Sequence, residues 1–115
     1  MKKHLLSIAL TAALATTGFA NAAEIKVGVI LGYTGPIESL TPDMAASAEL
    51  AFKEASDSGM LLTGSTIVPV RADSTCVDAS AATAAAERLI TADKVVAIMG
   101  ADCSGVTTAI ANSVA

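Results

Sequence analysis

The sequence of 115 residues has little of what most enzymes and nucleic-acid-binding proteins need. It has no Trp, one Tyr and two Phe, and its single His is His4, near the amino terminus. Downstream of His4 the chain cannot build the Ser-His or Cys-His pair of a nucleophilic enzyme, nor a zinc site with a His ligand. It also has no G-x-G-x-x-G motif for a dinucleotide. We therefore predict a protein that is not an enzyme and that uses no metal ion or cofactor.

The amino terminus has the three parts of a secretory signal peptide. Residues 1–4 are basic, residues 5–17 are almost wholly apolar or small, and residues 20–22 offer the small-x-small pattern at which signal peptidase cuts. The apolar run is shorter than the roughly 18 to 20 residues that a membrane anchor needs. We predict that residues 1–22 are removed and that residues 23–115 work in the periplasm.

Loss of this segment makes the chain more acidic. Residues 23–115 carry five Lys or Arg against eleven Asp or Glu, a net charge of −6, and their only aromatic residues are Tyr33 and Phe52. Phosphate groups attract basic surfaces, and single-stranded nucleic acids stack on aromatic rings. Nucleic acid is therefore not an expected partner.

Two cysteines remain, Cys76 and Cys103. In an oxidising compartment a disulfide between them is the default expectation. The alternative is a reactive thiol, but the spacing is far from that of a redox C-x-x-C motif, and two thiolates alone make a poor metal site. A bridge of this length would stabilise the fold by about 3 to 4 kcal/mol.

Three strand-like segments follow one another along the chain. Residues 25–31 are apolar at nearly every position and residues 95–99 at every position, which is typical of strands buried on both faces of a parallel sheet. Residues 66–72 contain Pro69, which favours an edge strand because proline cannot donate to the ladder.

A helical pattern follows each predicted strand. Thr41 is the expected N-cap of the first helix and Gly59 its stop, Asp78 is the expected N-cap of a second helix over residues 79–92, and a third helix begins near Ser104. The predicted inner faces are Met44, Ala48, Ala51, Phe52 and Ala55 in the first helix, Ala82, Ala85, Ala86, Leu89 and Ile90 in the second, and Val106, Ala109, Ile110 and Val114 in the third.

This alternation predicts an α/β fold with an open parallel sheet flanked by helices on both faces. Three βα units make half a domain, and about 93 residues bury a marginal core. The periodic pattern also runs to residue 115 without a C-cap signal. We therefore expect residues 23–115 to be an incomplete amino-terminal lobe of a longer protein.

Ligands of such sheets bind at the carboxyl ends of the strands. The loops expected there are residues 32–40, 73–78 and 100–104. In the last loop, the Ser104 hydroxyl and the free backbone N–H groups of Gly105 and Val106 form an anion site at the positive end of the helix dipole, which suits a carboxylate. The alternative is that Ser104 only caps its own helix.

Several short motifs occur in an order that resembles one family. They are Lys26-Val27-Gly28-Val29 leading to Thr34-Gly35-Pro36, then Ala48-Glu49-Leu50-Ala51, then Asp73-x-x-Cys76, and finally residues 95–100 followed by Cys103-Ser104-Gly105. This series resembles the opening third of the leucine/isoleucine/valine-binding proteins of bacterial ABC importers. The resemblance covers essentially all of residues 23–115.

The resemblance implies a type I periplasmic binding protein with two lobes that close on one amino acid, of which this chain holds the first three βα units. It implies that Cys76 and Cys103 form the family disulfide and that Ser104 hydrogen-bonds the α-carboxylate of the ligand. The bound amino acid, branched-chain or related, would be delivered to the membrane permease subunits of an ABC transporter. In a 2-1-3 strand order the two cysteine loops must lean together, because their strands lie about 9 to 10 Å apart and a disulfide needs Cα atoms within about 7 Å.

Two positions depart from the family pattern. Tyr33 precedes Gly35-Pro36, whereas the family aromatic residue follows it, and Tyr33 is the only aromatic candidate for the ligand on this rim. Asp102 stands where an apolar residue often touches an aliphatic ligand, so it predicts either a polar or cationic ligand or a favourable charge at the helix N-terminus.

The same fold also serves in sensing. A ligand-binding module of an amide, urea or amino acid sensor would look alike over these residues, and a transmembrane or signalling segment elsewhere in the gene would separate it from an importer component.

Overall fold

The computed structural model describes residues 22–62 and 64–114. The predicted signal peptide, residues 1–22, lies outside the described residues except for Ala22. In the part of the chain that is described, no helix is both long and apolar enough to span a bilayer.

Strands and helices alternate three times, as predicted. The elements are β1 Glu24–Leu31, α1 Thr41–Asp57, β2 Thr66–Asp73, α2 Ala79–Thr91, β3 Ala97–Gly100 and α3 Ser104–Val114. The strands form one parallel sheet in the order β2-β1-β3, with Leu31 opposite Asp73 and Ile30 opposite Gly100. This register brings the carboxyl ends of all three strands to one rim of the sheet.

The central strand, β1, contributes three consecutive buried residues to the core. Val29, Ile30 and Leu31 are buried on β1, because the sheet covers both edges of that strand and helices cover both faces. Pro69 lies opposite Val27 on β2, which is an edge strand, so the prediction from proline is confirmed.

The prediction for the third strand was partly wrong. Residues 95–99 were expected to be a fully buried strand, but β3 runs from Ala97 to Gly100 and Val96, which precedes it, is 74% exposed. The reason is that β3 pairs with β1 on one side only among the described residues, so its other edge is open.

Helices pack on both faces of the sheet. On one face, Ala45 of α1 packs with Val29 and Leu31. On the other face, α2 and α3 cover Ile30, and their buried residues are Ala82, Ala86, Leu89, Val106 and Ile110. The helix that follows β1 therefore packs on one face of the sheet, and the helix that follows β3 packs on the other. This change of face between two neighbouring strands creates the switch point at which ligands of such sheets bind.

The predicted inner faces are right for most positions and wrong for some. In α1 the buried apolar residue is Ala45, and Met44 is 41% exposed, so the apolar stripe runs through Ala45, Ala48, Phe52 and Ala55 rather than through Met44 and Ala51. Ile90 and Val114, each 40% exposed, also lie outside the core. Both residues are in the last turns of their helices.

The helix ends show which polar residues act as caps. Asp78 is the N-cap of α2, as predicted, and its carboxylate accepts hydrogen bonds from the N–H groups of Ser80 and Ala81 at 2.9 and 3.0 Å. The prediction that Thr41 caps α1 was wrong, because the N-cap is Leu40 and Thr41 is already helical. The buried Thr41 hydroxyl instead donates to the carbonyl of Glu38. Gly59, with a φ of +69°, ends the first helix region as expected.

An open apolar groove of about 380 Å³ lies along the free edge of β3. Its lining residues are Ile90, Val95, Val96, Ala97, Ile98 and Val114. These residues surround the amino end of β3, so the groove is separate from the rim at which the strands end.

Candidate functional site

The disulfide joins two of the rim loops. Cys76, after β2, and Cys103, before α3, are bonded with Cα atoms 5.2 Å apart. This confirms the predicted pairing and shows that the loops lean toward each other across the end of β1. Thr75 and Cys76 both have positive φ values, of 57° and 70°, which turn the β2 loop toward the rim centre.

Gly32 explains how the bridge can cross the end of β1. A Cβ at position 32 would lie 3.2 Å from the Cβ of Cys76, closer than side chains ordinarily pack. The lack of a side chain therefore lets the disulfide lie directly over the first residue after the central strand.

Ser104 is the first residue of α3, not its cap. The first intrahelical hydrogen bond runs from the Thr107 N–H to the Cys103 carbonyl at 3.0 Å, which makes Cys103 the capping residue. Within the described part of the chain, the Ser104 hydroxyl and the N–H groups of Ser104, Gly105 and Val106 have no hydrogen-bond partner. The alternative, that Ser104 only caps its own helix, is therefore not what the structure shows.

The space beside these groups is open. Ser104 and Gly105 are exposed, and, apart from its chain neighbours and the backbone of its own helix, no atom lies within 4 Å of a Cβ built on Gly105. The side chain of Val106 is buried in the core, so of this residue only the backbone N–H is available. A hydroxyl and successive N–H groups at a helix N-terminus are donors suited to a small anion.

The carboxylate of Asp102 is hydrogen-bonded to the two other rim loops. Its Oδ2 accepts a hydrogen bond from the Gly32 N–H at 2.9 Å, and its Oδ1 accepts one from the Ser74 hydroxyl at 3.4 Å. The carboxylate thus links the loops that follow all three strands. The sequence located Asp102 at the site but did not predict these partners.

A second carboxylate links the first two loops. Asp73 accepts hydrogen bonds from the Thr34 hydroxyl at 2.5 Å and from the Thr75 N–H at 2.8 Å. Burial raises the pKa of Asp73, but the hydrogen bonds from Thr34 and Thr75 outweigh this effect, and the net pKa is lowered.

Tyr33 packs on the sheet face that α1 covers. Its hydroxyl donates to the carbonyl of Val29, 3.4 Å away, and its ring packs against the cluster of β1 and α1. The Arg71 guanidinium lies 5.6 Å from the ring centroid and also forms two hydrogen bonds with Glu49. Burial raises the pKa of the Tyr33 phenol, and the positive charge of Arg71 opposes this rise.

The bonds that hold the rim loops involve residues that were not among the predicted site residues, namely Gly32, Thr34, Asp73, Ser74 and Thr107. The available signal was their position, since four of them lie at or just after the ends of the first two predicted strands. In residues 22–62 and 64–114, no group of three or more His, Cys, Asp or Glu side chains is placed to hold a metal ion.

Comparison with known proteins identifies the family. Residues 24–115 match the family model described as periplasmic binding protein. The chain belongs to the periplasmic binding protein family. The chain is 36% identical over 105 residues to the Leu/Ile/Val-binding protein homolog 7 of Brucella melitensis, a match that covers 91% of this chain and 25% of the relative. The chain therefore spans about a quarter of the length of the curated relatives it matches.

Solved structures have the same fold. An extracellular ligand-binding receptor from Rhodopseudomonas palustris aligns with a TM-score of 0.65 and 31% identity, over 79% of this chain and 23% of that protein. The branched-chain amino acid transporter substrate-binding protein LivJ of Streptococcus pneumoniae, solved with isoleucine, aligns with a TM-score of 0.69 and 27% identity, over 78% of this chain and 25% of that protein. These neighbours confirm the type I fold. Their names describe binding proteins and receptors, which agrees with the prediction of a protein that is not an enzyme.

Proposed function

We propose that this chain is the amino-terminal part of an extracytoplasmic solute-binding protein that binds an amino acid, branched-chain or related, for an ABC importer. The α-carboxylate of the ligand accepts hydrogen bonds from the Ser104 hydroxyl and from the N–H groups at the start of α3. The ligand is then passed to the membrane permease subunits of the transporter. Residues 1–22 direct the protein to the periplasm and are cleaved.

The observation that carries the proposal is the set of unused donors at the N-terminus of α3. Ser104, Gly105 and Val106 present one hydroxyl and three N–H groups without acceptors among the described residues, at the carboxyl end of the sheet beside the switch point. A helix N-terminus favours a negative charge, and hydrogen bonds to a charged group are stronger than those between neutral groups. The names of the relatives, Leu/Ile/Val-binding protein and substrate-binding protein of a branched-chain amino acid transporter, support an amino acid as the anion.

The test is the Ser104→Ala variant of the full-length protein. Loss of one hydrogen bond to a charged carboxylate should weaken binding of the preferred amino acid by about 1 to 3 kcal/mol. The measurement is isothermal titration calorimetry with L-leucine, L-isoleucine and L-valine, followed by the remaining amino acids and their amides.

Ser47→Ala is the matched control. Ser47 is exposed on α1, and its hydroxyl donates only to the Asp43 carbonyl of its own helix, so the variant should bind with wild-type affinity. If Ser104→Ala and Ser47→Ala bind the amino acid equally well, the carboxylate does not contact the Ser104 hydroxyl.

A further inference from the structure

We propose that Asp102 is a positioning residue, which holds Ser104 and the start of α3 in place by bonding the other two rim loops; this inference rests on the function proposed above. Asp102 lies two residues before Ser104, within the short turn between β3 and α3. Its role is to fix the direction of that turn rather than to touch the ligand.

Both carboxylate oxygens of Asp102 are engaged by the protein. The Gly32 N–H, 70 residues away in sequence, donates to one oxygen at 2.9 Å, and the fully buried Ser74 hydroxyl, 28 residues away, is 3.4 Å from the other. Ser74 is itself anchored, because its N–H donates to the Leu31 carbonyl at 2.9 Å. Asp102 is therefore the side chain that ties the β3 loop to the end of the central strand.

The other side of the same turn is held independently. The Thr107 hydroxyl lies 3.2 Å from the Ala101 carbonyl and 2.9 Å from the Cys103 carbonyl, and Cys103 is fixed by its bridge to Cys76. With Asp102 bonded on the opposite side, the turn has little freedom to rotate the donors of Ser104 away from the rim.

Neutralising the negative charge of Asp102 distinguishes a positioning role from two alternatives. A carboxylate that merely stood near the anion site would repel the ligand carboxylate, so its neutralisation would tighten binding. A carboxylate that contacted a cationic group of the ligand would lose binding when neutralised. A positioning carboxylate can be replaced by an amide, because Asn offers an oxygen to the Gly32 N–H and an NH₂ group to the Ser74 oxygen.

The experiment compares Asp102→Ala and Asp102→Asn in the full-length protein. The ligand is the tightest-binding member of the panel L-leucine, L-isoleucine and L-valine, measured by calorimetry well below the melting temperature of each variant. Asp102→Ala should bind it about fivefold to tenfold more weakly, the equivalent of one or two hydrogen bonds, and Asp102→Asn should stay within about twofold of wild type.

Ser56→Ala is the control for a merely structural effect. The Ser56 hydroxyl accepts a hydrogen bond from the Ile67 N–H at 2.9 Å, so it also joins a side chain to a distant backbone, but at the opposite end of β2. This variant should lower the melting temperature and leave the affinity unchanged. A fall in affinity as large as that of Asp102→Ala would mean that general loosening, not positioning, weakens binding.

A second readout needs no ligand. Amide hydrogen exchange of Gly32 should speed up in Asp102→Ala but not in Asp102→Asn or Ser56→Ala, because only the first variant removes its acceptor. Unchanged exchange in Asp102→Ala, equal loss of affinity in both Asp102 variants, or tighter binding in both would overturn the inference. If the wild type binds none of these three amino acids and none of the remaining amino acids or their amides, the proposed function fails, and the exchange measurement still decides the role of Asp102 in the rim.

Discussion

Asp73 is the residue whose ionisation matters most for the shape of the first two rim loops. Its carboxylate accepts hydrogen bonds from the hydroxyl and the N–H of Thr34 and from the N–H of Thr75. Thr75 has a positive φ of 57°, a conformation that non-glycine residues seldom adopt without such support. The charged form of Asp73 therefore stabilises the turn that carries Cys76.

The pH dependence of stability tests this role. The folded-state pKa of Asp73 is lowered from the usual 3.8. The ionised Asp73 therefore adds to the free energy of unfolding in full above pH 3.8, and this stabilisation is lost as the pH falls through the folded-state pKa. Asp73→Asn should lower the free energy of unfolding by about 1 kcal/mol near neutral pH, and the difference from wild type should shrink below about pH 4. Urea denaturation at several pH values measures both quantities, and a difference that stays constant down to about pH 3 would contradict the role.

At the scale of the elements, the disulfide connects the end of β2 to the start of α3. The bridge spans 27 residues, which include all of α2. Since Cys103 also caps α3, the bridge fixes the helix N-terminus that carries the proposed anion site.

Removal of the bridge should therefore affect both stability and binding. In the full-length protein, the double variant Cys76→Ala and Cys103→Ala should lose about 3 to 4 kcal/mol of unfolding free energy, as loop closure over this length predicts, and should bind the amino acid more weakly. Chemical denaturation with and without a reducing agent measures the effect. The wild type should respond to the reductant and the double variant should not; equal stability of the two proteins under oxidising conditions would be evidence against the role of the bridge.

The sequence predicted the order and types of all six elements, because each has a strong local signal. The apolar run of β1, Pro69 in an edge strand and Asp78 at a helix start each follow from a property of the residue itself. Thr41 was predicted as a cap because Thr, Pro and Asp in succession usually begin a helix, but the Glu38 carbonyl takes its hydroxyl in the folded chain. The exposure of Val96 depends on which strand lies beside β3, and no local pattern contains that information.

The sequence also predicted only part of the candidate site. Ser104 was located by its place between a strand and a helix and by the family resemblance. The bonds of Asp102 to Gly32 and Ser74 join residues 70 and 28 positions apart, so they depend on the strand order and on the lean of the loops. Tyr33 was a candidate because it is the only aromatic residue expected on this rim, and in the structure its hydroxyl donates to the Val29 carbonyl.

At the scale of the whole molecule, the proposal requires that the protein acts outside the cytoplasm. A variant that lacks residues 1–22 should bind the amino acid in vitro with wild-type affinity, because β1 begins at Glu24. In cells whose own gene is deleted, this variant should fail to restore uptake of the radiolabelled amino acid, whereas the unshortened protein restores it. Uptake restored by both proteins would count against the proposal that residues 1–22 act as a signal peptide. If neither protein restores uptake although the purified protein binds the amino acid, this result would favour a sensory role over an importer component.

A crystal structure of the full-length protein with its preferred amino acid bound would show which groups hold the ligand carboxylate. We expect a carboxylate oxygen of the ligand to lie within about 3.2 Å of the Ser104 hydroxyl and of at least one N–H group at the start of α3. A ligand whose carboxylate binds elsewhere, with the Ser104 hydroxyl and these N–H groups facing only solvent, would contradict this expectation.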